Sequence, residues 1–338
     1  MDNVRVVTDL EECRRVWLQL VPEDHVSDLW EFRACFQRHY QRPSRFIVAE
    51  EKGRACGLLP LSWIEEGGYF GYFPGEVWHG KTWLEQNRVI ARDAAVLKQL
   101  LHLADGNGNG SRTSYYLRYL LPAGTVPAES QTVDEIGYLF NPPDFNFDME
   151  NYFQLFSHKS VKRIKREVAA FEEQGMDVRL DNMADFDLLV RLSLGRYDRH
   201  SYFNDARFTE GFRDLMHFLA GRGWLRITAI LIEGEPAAVD MGCVYHGVYT
   251  LLGGGTSDRF PGIAKLINLH HMRRACDERL SQVDFLCGDF SWKTMFHLTP
   301  RPLYLLSNMD QAPAPNAATA SPQSAAAAPI VIARGANV

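Results

Sequence analysis

Four residues of the stretch "TSDRFPGIAKLINLHHM" have the types and spacing to hold an anion: Arg259, Gly262, Ala264 and Lys265, set where an apolar helical pattern begins at Ile263. Gly262 and Ala264 present no bulk, so a ligand can approach the backbone closely. The start of the following helix offers unpaired N–H groups and the positive end of its dipole. Arg259 and Lys265 add charge on either side, and the combination suits a pyrophosphate. A Pro-Gly turn opening a helix accounts for the same residues without a ligand, because Pro261 already sets the turn.

Other reactive side chains surround this turn in the sequence. Asp240 stands between Val239 and Met241 in a strand-like run, where partial burial alters a carboxylate's pKa and fits it to act as a base or a clamp. The competing reading is a carboxylate bonded to backbone at a sheet end. His246 and Tyr249 lie on the strand before the turn, as proton donors or as packing. Asp284 and Asp289 flank "FLCG", and Lys293 follows; strand ends carry the ligand contacts of α/β sheets, although caps and solvated charges are found there too. "HKSVKRIKRE" puts Lys159, Arg163 and Arg166 on one helical face with Lys162 and Lys165 beside it, a grip for phosphates or a solvated face. "GRYDRHSYFND" places Tyr197 and His200 in a loop between helices, as a pocket lining or a polar surface turn. Nothing in the sequence identifies a base for Cys287, which argues against a thiol nucleophile.

The elements that must position these groups read as α/β throughout. "VRVV" is a strand, 10–20 and 27–40 are helices, "RFIVAEE" and "RACGLLPLSWIEE" are strands, and 91–104 is a helix ending in the flexible "DGNGNGS". "SYYLRYLL" is a further strand, and "LFNPPDFNFD" is a joint. The order then restarts. A helix over 152–175 closes at Gly175, "MDVRLD" is a strand, and helices cover 183–197 and 208–220. "WLRITAILIEG", "PAAVDMGCVYHG" and "VYTLLGGGT" are strands, 263–280 is a helix, and "VDFLCGD" is the closing strand. This order predicts two related halves, 1–145 and 146–310, each a mixed sheet flanked by helices, with the candidate anion-binding turn in the second. The Ala/Pro-rich stretch 311–338 reads as a disordered tail.

Composition bounds the function. The 338 residues carry a formal net charge of −6, which argues against a surface built for broad binding to polyanions. The six cysteines are isolated, with no Cys/His cluster at zinc spacing, so no metal is expected. No apolar run is long enough for a signal core or a membrane span, and the chain is read as cytoplasmic.

The spacing Arg259-x-x-Gly262-x-Ala264 resembles the [QR]-x-x-G-x-[GA] turn of the GNAT superfamily of N-acyltransferases, whose backbone holds the pyrophosphate of coenzyme A. The stretch from "PAAVDMGCVYHG" to "DFLCGDFSWKTMF" resembles the C-terminal half of FemAB/CelD-like acyltransferases. Its last element reads Asp284, Phe285, Leu286, Cys287, Gly288, Asp289, then Trp292, Lys293 and Phe296. "SHKSVKRIKREVAAFEEQG" is similar to the S-x-x-x-R-x-x-[IL]-[KR]-[KR] helix of that group. The resemblance covers about residues 152–306 and implies two tandem GNAT-like halves. It departs where Phe290-Ser291-Trp292 replaces the group's usual acidic residue.

The resemblance implies N-acyl transfer from a coenzyme A thioester to an amine, either a small amine or an amino-sugar or peptide. Such transfer needs a proton acceptor, donors for the oxyanion and a tolerated thiolate. Residues 259–265, with Ile263 and Ala264 supplying backbone N–H groups, are then the pyrophosphate site. Asp240 or Asp289 orients and deprotonates the amine, with Tyr249 or His246 as proton donor. Asp284, Lys293, Arg163, Tyr197 and His200 are substrate contacts. Two rival readings keep the fold: an aminoacyl-tRNA donor of the Fem type gripped by the helix around Arg163, and a binding protein without catalysis.

Overall fold

The run "EPAAVDMGCVY" shows how the sequence builds the sheet. Side chains alternate faces along a strand: Val239, Met241 and Cys243 enter one apolar core, while Ala238 enters a second core on the opposite face. A strand buried on both sides needs helices on both, and the rest of the chain supplies them. The computed structural model describes residues 3–106, 113–122, 132–288, 293, 295–310 and 312–313. Asp289, most of the glycine-rich loop after residue 106 and nearly all of the Ala/Pro-rich tail lie outside the described residues.

The first stretch runs β1 (Asn3–Val7), α1 (Leu10–Leu20), α2 (Trp30–Tyr40), β2 (Ser44–Glu51), β3 (Arg54–Ile64) and β4 (Tyr69–Tyr72). Short strands β5 (Val77–Trp78), β6 (Lys81–Thr82) and β7 (Ile90–Ala91) follow, then α3 (Ala94–Ala104), β8 (Tyr116–Leu120) and β9 (Thr132–Phe140). The second stretch holds α4 (Met149–Phe153), α5 (His158–Glu173), β10 (Met176–Leu180), α6 (Asp185–Tyr197), α7 (Ala206–Gly221), β11 (Leu225–Ile232), β12 (Glu235–Tyr245) and β13 (Val248–Thr256). It closes with α8 (Ile263–Asp277), β14 (Gln282–Asp284) and β15 (Thr299–Ser307). A series of strand, two helices, three longer strands, helix and strand occurs twice once the two-residue strands β5, β6 and β7 are set aside; β4 is a strand that the sequence reading does not include.

The halves share more than a linker. One sheet has the order β1-β2-β3-β4, with β7 also on β3; the other has the order β10-β11-β12-β13-β14-β9-β15-β8. Strands β8 and β9, which precede residue 145, thus complete the second sheet, and the last strand β15 lies between them. Isolated bridges Phe70↔Tyr115 and Asn87↔Leu120 join β8 back to the first half. One apolar core contains Phe32 and Phe36 of α2 together with Phe208, Phe212 and Leu215 of α7. The helices approach so closely that a Cβ on Gly211 would lie 2.9 Å from the Phe36 ring.

The helix expected over 152–175 is two helices. Ser157 breaks it by capping α5, its hydroxyl accepting from the Ser160 N–H at 3.2 Å. The helix expected over 263–280 ends at Asp277, and Arg279 has φ +54. None of the six cysteines forms a disulfide. Among the described residues no helix is long and apolar enough to cross a membrane, and no group of three metal-ligating side chains occurs.

Candidate functional site

Strands β13 and β14 run parallel for only three residue pairs, Val248↔Gln282 to Thr250↔Asp284. Beyond them the chain after β14 follows β9 instead: the Phe285 N–H donates to the Tyr138 carbonyl at 2.9 Å, and the Tyr138 N–H to the Leu286 carbonyl at 3.3 Å. Among the described residues, the edge of β13 from Leu251 onward therefore has no strand on that side. Its register against β12 also shifts, pairing Gly253 with Met241 and Leu251 with Gly242, so Leu252 is an extra, bulged residue.

A cleft of about 380 Å³ opens in this gap, bounded by Leu251–Gly254 on one side and Phe285–Gly288 on the other. The first half contributes Trp83, Glu85, Tyr119 and Glu135; the end of α6 and the turns after it contribute Tyr197, His200, Tyr202 and Phe203. The size suits a small organic ligand. Glycines permit this packing. A Cβ on Gly255 would meet the Leu189 carbonyl of α6 at 2.7 Å.

Glu85 is a half-buried carboxylate on the wall. Both its oxygens accept the Cys287 N–H, at 2.9 and 3.0 Å. Burial, with the nearby Asp284 charge adding to it, pushes its carboxyl up to about 7. A carboxylate with that pKa takes and returns a proton near neutral pH. Sequence reading missed it, because "GKTWLEQNRV" has no periodicity and its partner lies 202 residues away. Its one local signal is a Glu between apolar Trp83-Leu84 and polar Gln86-Asn87 in a stretch without regular structure.

The opposite wall is fixed by two residues expected to contact substrate. Lys293 is buried, and its Nζ donates to the carbonyls of Phe285, Leu286 and Cys287 at 3.1, 2.9 and 2.8 Å. An ammonium has three donors, so Lys293 shapes the wall and is not placed to neutralise an acceptor's carboxylate or phosphate. Burial lowers its pKa to about 8. Asp284 accepts from Arg301 at 2.8 and 3.2 Å, from the Leu286 N–H at 2.9 Å and from Gln86. These bonds tie β14, β15 and the Gln86 loop together, a structural role. Burial first, and Glu85 next, raise the Cys287 thiol, which suits the expectation that it is no nucleophile.

Three expected catalytic groups lie elsewhere. Asp240 is buried on the α8 side of the sheet, 2.9 Å from His271 Nε2, and does not line the cleft. Its cross-strand partner Gly254 has no side chain, and a Cβ there would lie 2.1 Å from Asp240 Oδ1. Tyr249 is buried with its ring 4.9 Å from that of His271, and burial raises its pKa well above the usual value. His246 sits at the exposed β12–β13 turn with φ +48, stacked on Tyr245; six residues of strand, roughly 20 Å, separate that turn from Gly254. Tyr197 and His200 do line the cleft.

At the turn after β13 two of the N–H groups expected to meet an anion are engaged within the turn: that of Ile263 donates to the Phe260 carbonyl at 3.1 Å and that of Lys265 to the Gly262 carbonyl at 3.0 Å. Gly262 is the N-cap of α8 at φ +95, with no side-chain cap, and a Cβ there would meet nothing within 4 Å. Arg259 pairs with Glu235, and Lys265 with Glu167 at 3.1 Å. Their side chains remain 71% and 37% exposed, so both pairs are of the weak, solvent-screened kind. The corresponding helix of the first half differs: the Asp93 carboxylate caps α3 by accepting the Val96 N–H at 2.9 Å. A carboxylate there stands where an anionic ligand would need to be. On α5, Lys159, Lys162, Arg163 and Arg166 are exposed and have no ion pair among the described residues, whereas Lys165 bonds to Glu150.

Residues 158–294 match the acetyltransferase (GNAT) domain. A comparison with curated proteins gives no match. Solved structures are similar over most of the chain. A protein of unknown function from Bacteroides thetaiotaomicron aligns with TM-score 0.56 and 12% identity over 90% of this chain and 99% of that one. FemX aligns with TM-score 0.53 and 10% identity over 90% and 96%. The tandem GNAT protein from the clavulanic acid biosynthesis pathway gives 0.50 and 12% over 91% and 100%. The chain therefore has a GNAT/FemAB-like fold in tandem arrangement, and the stretch that matches the GNAT domain lies in its second half.

Proposed function

We propose that the protein is an N-acyltransferase that moves an acyl group from a coenzyme A thioester to an amine bound in the cleft between the halves. The observation that carries this reading is Glu85, a carboxylate with a pKa near neutrality beside the gap between β13 and β14. In the proposed step Glu85 takes a proton from the acceptor ammonium. The freed amine attacks the thioester carbonyl, and unpaired N–H groups on the edge of β13 hold the oxyanion. The attack forms the C–N bond; collapse of the oxyanion then re-forms the carbonyl, breaks the C–S bond and passes the second amine proton to the leaving thiolate. A coenzyme A thioester would lie along β13 toward the uncapped start of α8, with Arg259, Gly262, Ile263, Ala264 and Lys265 at its pyrophosphate. The contrast with the Asp93-capped α3 supports a donor site in the second half alone.

Calorimetric titration with coenzyme A, acetyl-coenzyme A and a long-chain acyl-coenzyme A tests the donor. Micromolar binding is expected, together with thiol release once an amine is added. No binding of any of the three would refute the donor assignment and shift the reading to aminoacyl-tRNA. The unpaired outward cations of α5 favour that second donor. Its mark would be tRNA binding that weakens steeply with salt and is lost on reversing Arg163 and Arg166.

A further inference from the structure

The walls of the cleft restrict the charge of what it accepts. Two carboxylates, Glu85 and Glu135, line it, and among the described residues no lysine or arginine does. The nearby cations are already engaged. Arg118 is held by the Asp134 carboxylate at 2.8–3.0 Å and lies 3.6 Å from Glu135. Arg301 is held by Asp284, and Lys293 by three carbonyls. Much of the remaining wall is aromatic, with Trp83, Tyr197, Tyr202, Phe203, Phe208 and Phe285; Thr82, Ser193 and Ser201 add hydroxyls, and His200 an imidazole that is a cation only when protonated. Tyr202 is fixed in place, its hydroxyl donating to the Thr82 carbonyl at 3.1 Å.

Burying a carboxylate or phosphate against such a wall sets an anion beside two carboxylates with no lysine or arginine to balance it, which is costly. An ammonium group instead meets a carboxylate and the faces of aromatic rings, both of which attract it. We infer that the acceptor is a primary amine on an aromatic or aliphatic body without a carboxylate or phosphate, an arylalkylamine or diamine rather than an amino acid. The identity of this ligand as acceptor rests on the acyl-transfer reading; its charge selectivity rests on the cleft alone.

The test titrates the full chain calorimetrically with tyramine, its neutral counterpart tyrosol and its carboxylated counterpart tyrosine, and with cadaverine against lysine. Each decarboxylated amine is expected to bind at least about tenfold tighter than its amino acid, with tyrosol between tyramine and tyrosine. A tenfold preference corresponds to about 1.4 kcal/mol. In Glu85→Gln the preference for tyramine over tyrosol is expected to fall below about threefold. Equal or tighter binding of the amino acids, or no binding of any amine, overturns the inference, and this readout in the unaltered chain stands even if the variant does not fold. Thiol release from acetyl-coenzyme A is followed in parallel. Selective binding without release would defeat the acyl-transfer reading while upholding the charge selectivity; release with the amino acids preferred would do the reverse.

Discussion

Replacing Glu85 by Gln separates a catalytic base from a structural carboxylate, because the two roles respond to pH in opposite directions. The side chain keeps its shape, and its carbonyl can still accept the Cys287 N–H. The folded-state pKa of about 7 stands against an ordinary 4.5, a difference that at 1.36 kcal/mol per unit is roughly 3 kcal/mol. Since the pKa is raised on folding, the folded state holds the proton more tightly. The associated stability is fully present below pH 4.5 and is lost as the pH rises through 7. Glutamine does not titrate, so the variant should gain on the unaltered chain by up to about 3 kcal/mol between pH 4.5 and 8, less whatever water in the cleft screens. Urea denaturation at pH 4.5, 6 and 8 measures this. Activity should move the other way: loss of a general base costs about 10²- to 10⁴-fold, and the rise of kcat/KM through pH 7 should disappear. A variant within threefold of the original rate that keeps its pH limb would refute the assignment of Glu85. A stability difference independent of pH would refute the buried-carboxylate account.

The residues around the cleft give further tests. Asp240→Asn should leave transfer within about threefold, since the carboxylate faces His271 and not the cleft, while losing about 1 kcal/mol in urea denaturation; a loss comparable to that of Glu85→Gln would restore Asp240 as the base. Lys293→Met leaves three carbonyls without their donor and should cost about 2–4 kcal/mol by the same measurement; an unchanged midpoint would show that the wall does not depend on it. Gly262→Ala should destabilise the ligand-free protein by about 1–2 kcal/mol, because φ is +95 although space is open. Weaker coenzyme A binding in that variant counts as loss of the cradle only if a thermal scan shows the chain still folded. Gly254→Ala should cost about 1–3 kcal/mol by overpacking, and combining it with Asp240→Ala should relieve part of that cost, since the clash is with Asp240 Oδ1.

The sequence made legible those parts whose physics is local. Alternation in "PAAVDMGCVY" and the Pro-Gly start of α8 are set by neighbours within a few residues, and so most of the longer strands and helices could be read, although not β4, β9 and β15. The crossing of β8 and β9 into the second sheet could not, because strand pairing across more than a hundred residues leaves no local pattern. The chemistry divides along the same line. Asp240 reads as a base because it lies on an apolar strand, yet that same strand position delivers it to His271 of α8, which satisfies it. Lys293 reads as a substrate contact because charge at a strand end is normally solvated, whereas here the lysine turns inward onto three carbonyls. Glu85 lies in the least periodic part of the chain, among short strands and left-handed residues such as His79 and Gln86, and shows nothing by itself. Its character is made by the second half: the Cys287 N–H orients it, Asp284 repels its charge, and the aromatic walls withhold water. The environment of Glu85 exists only when the two halves are packed together, so on the proposed reading the shared core of α2 and α7 positions the base as well as holding the fold.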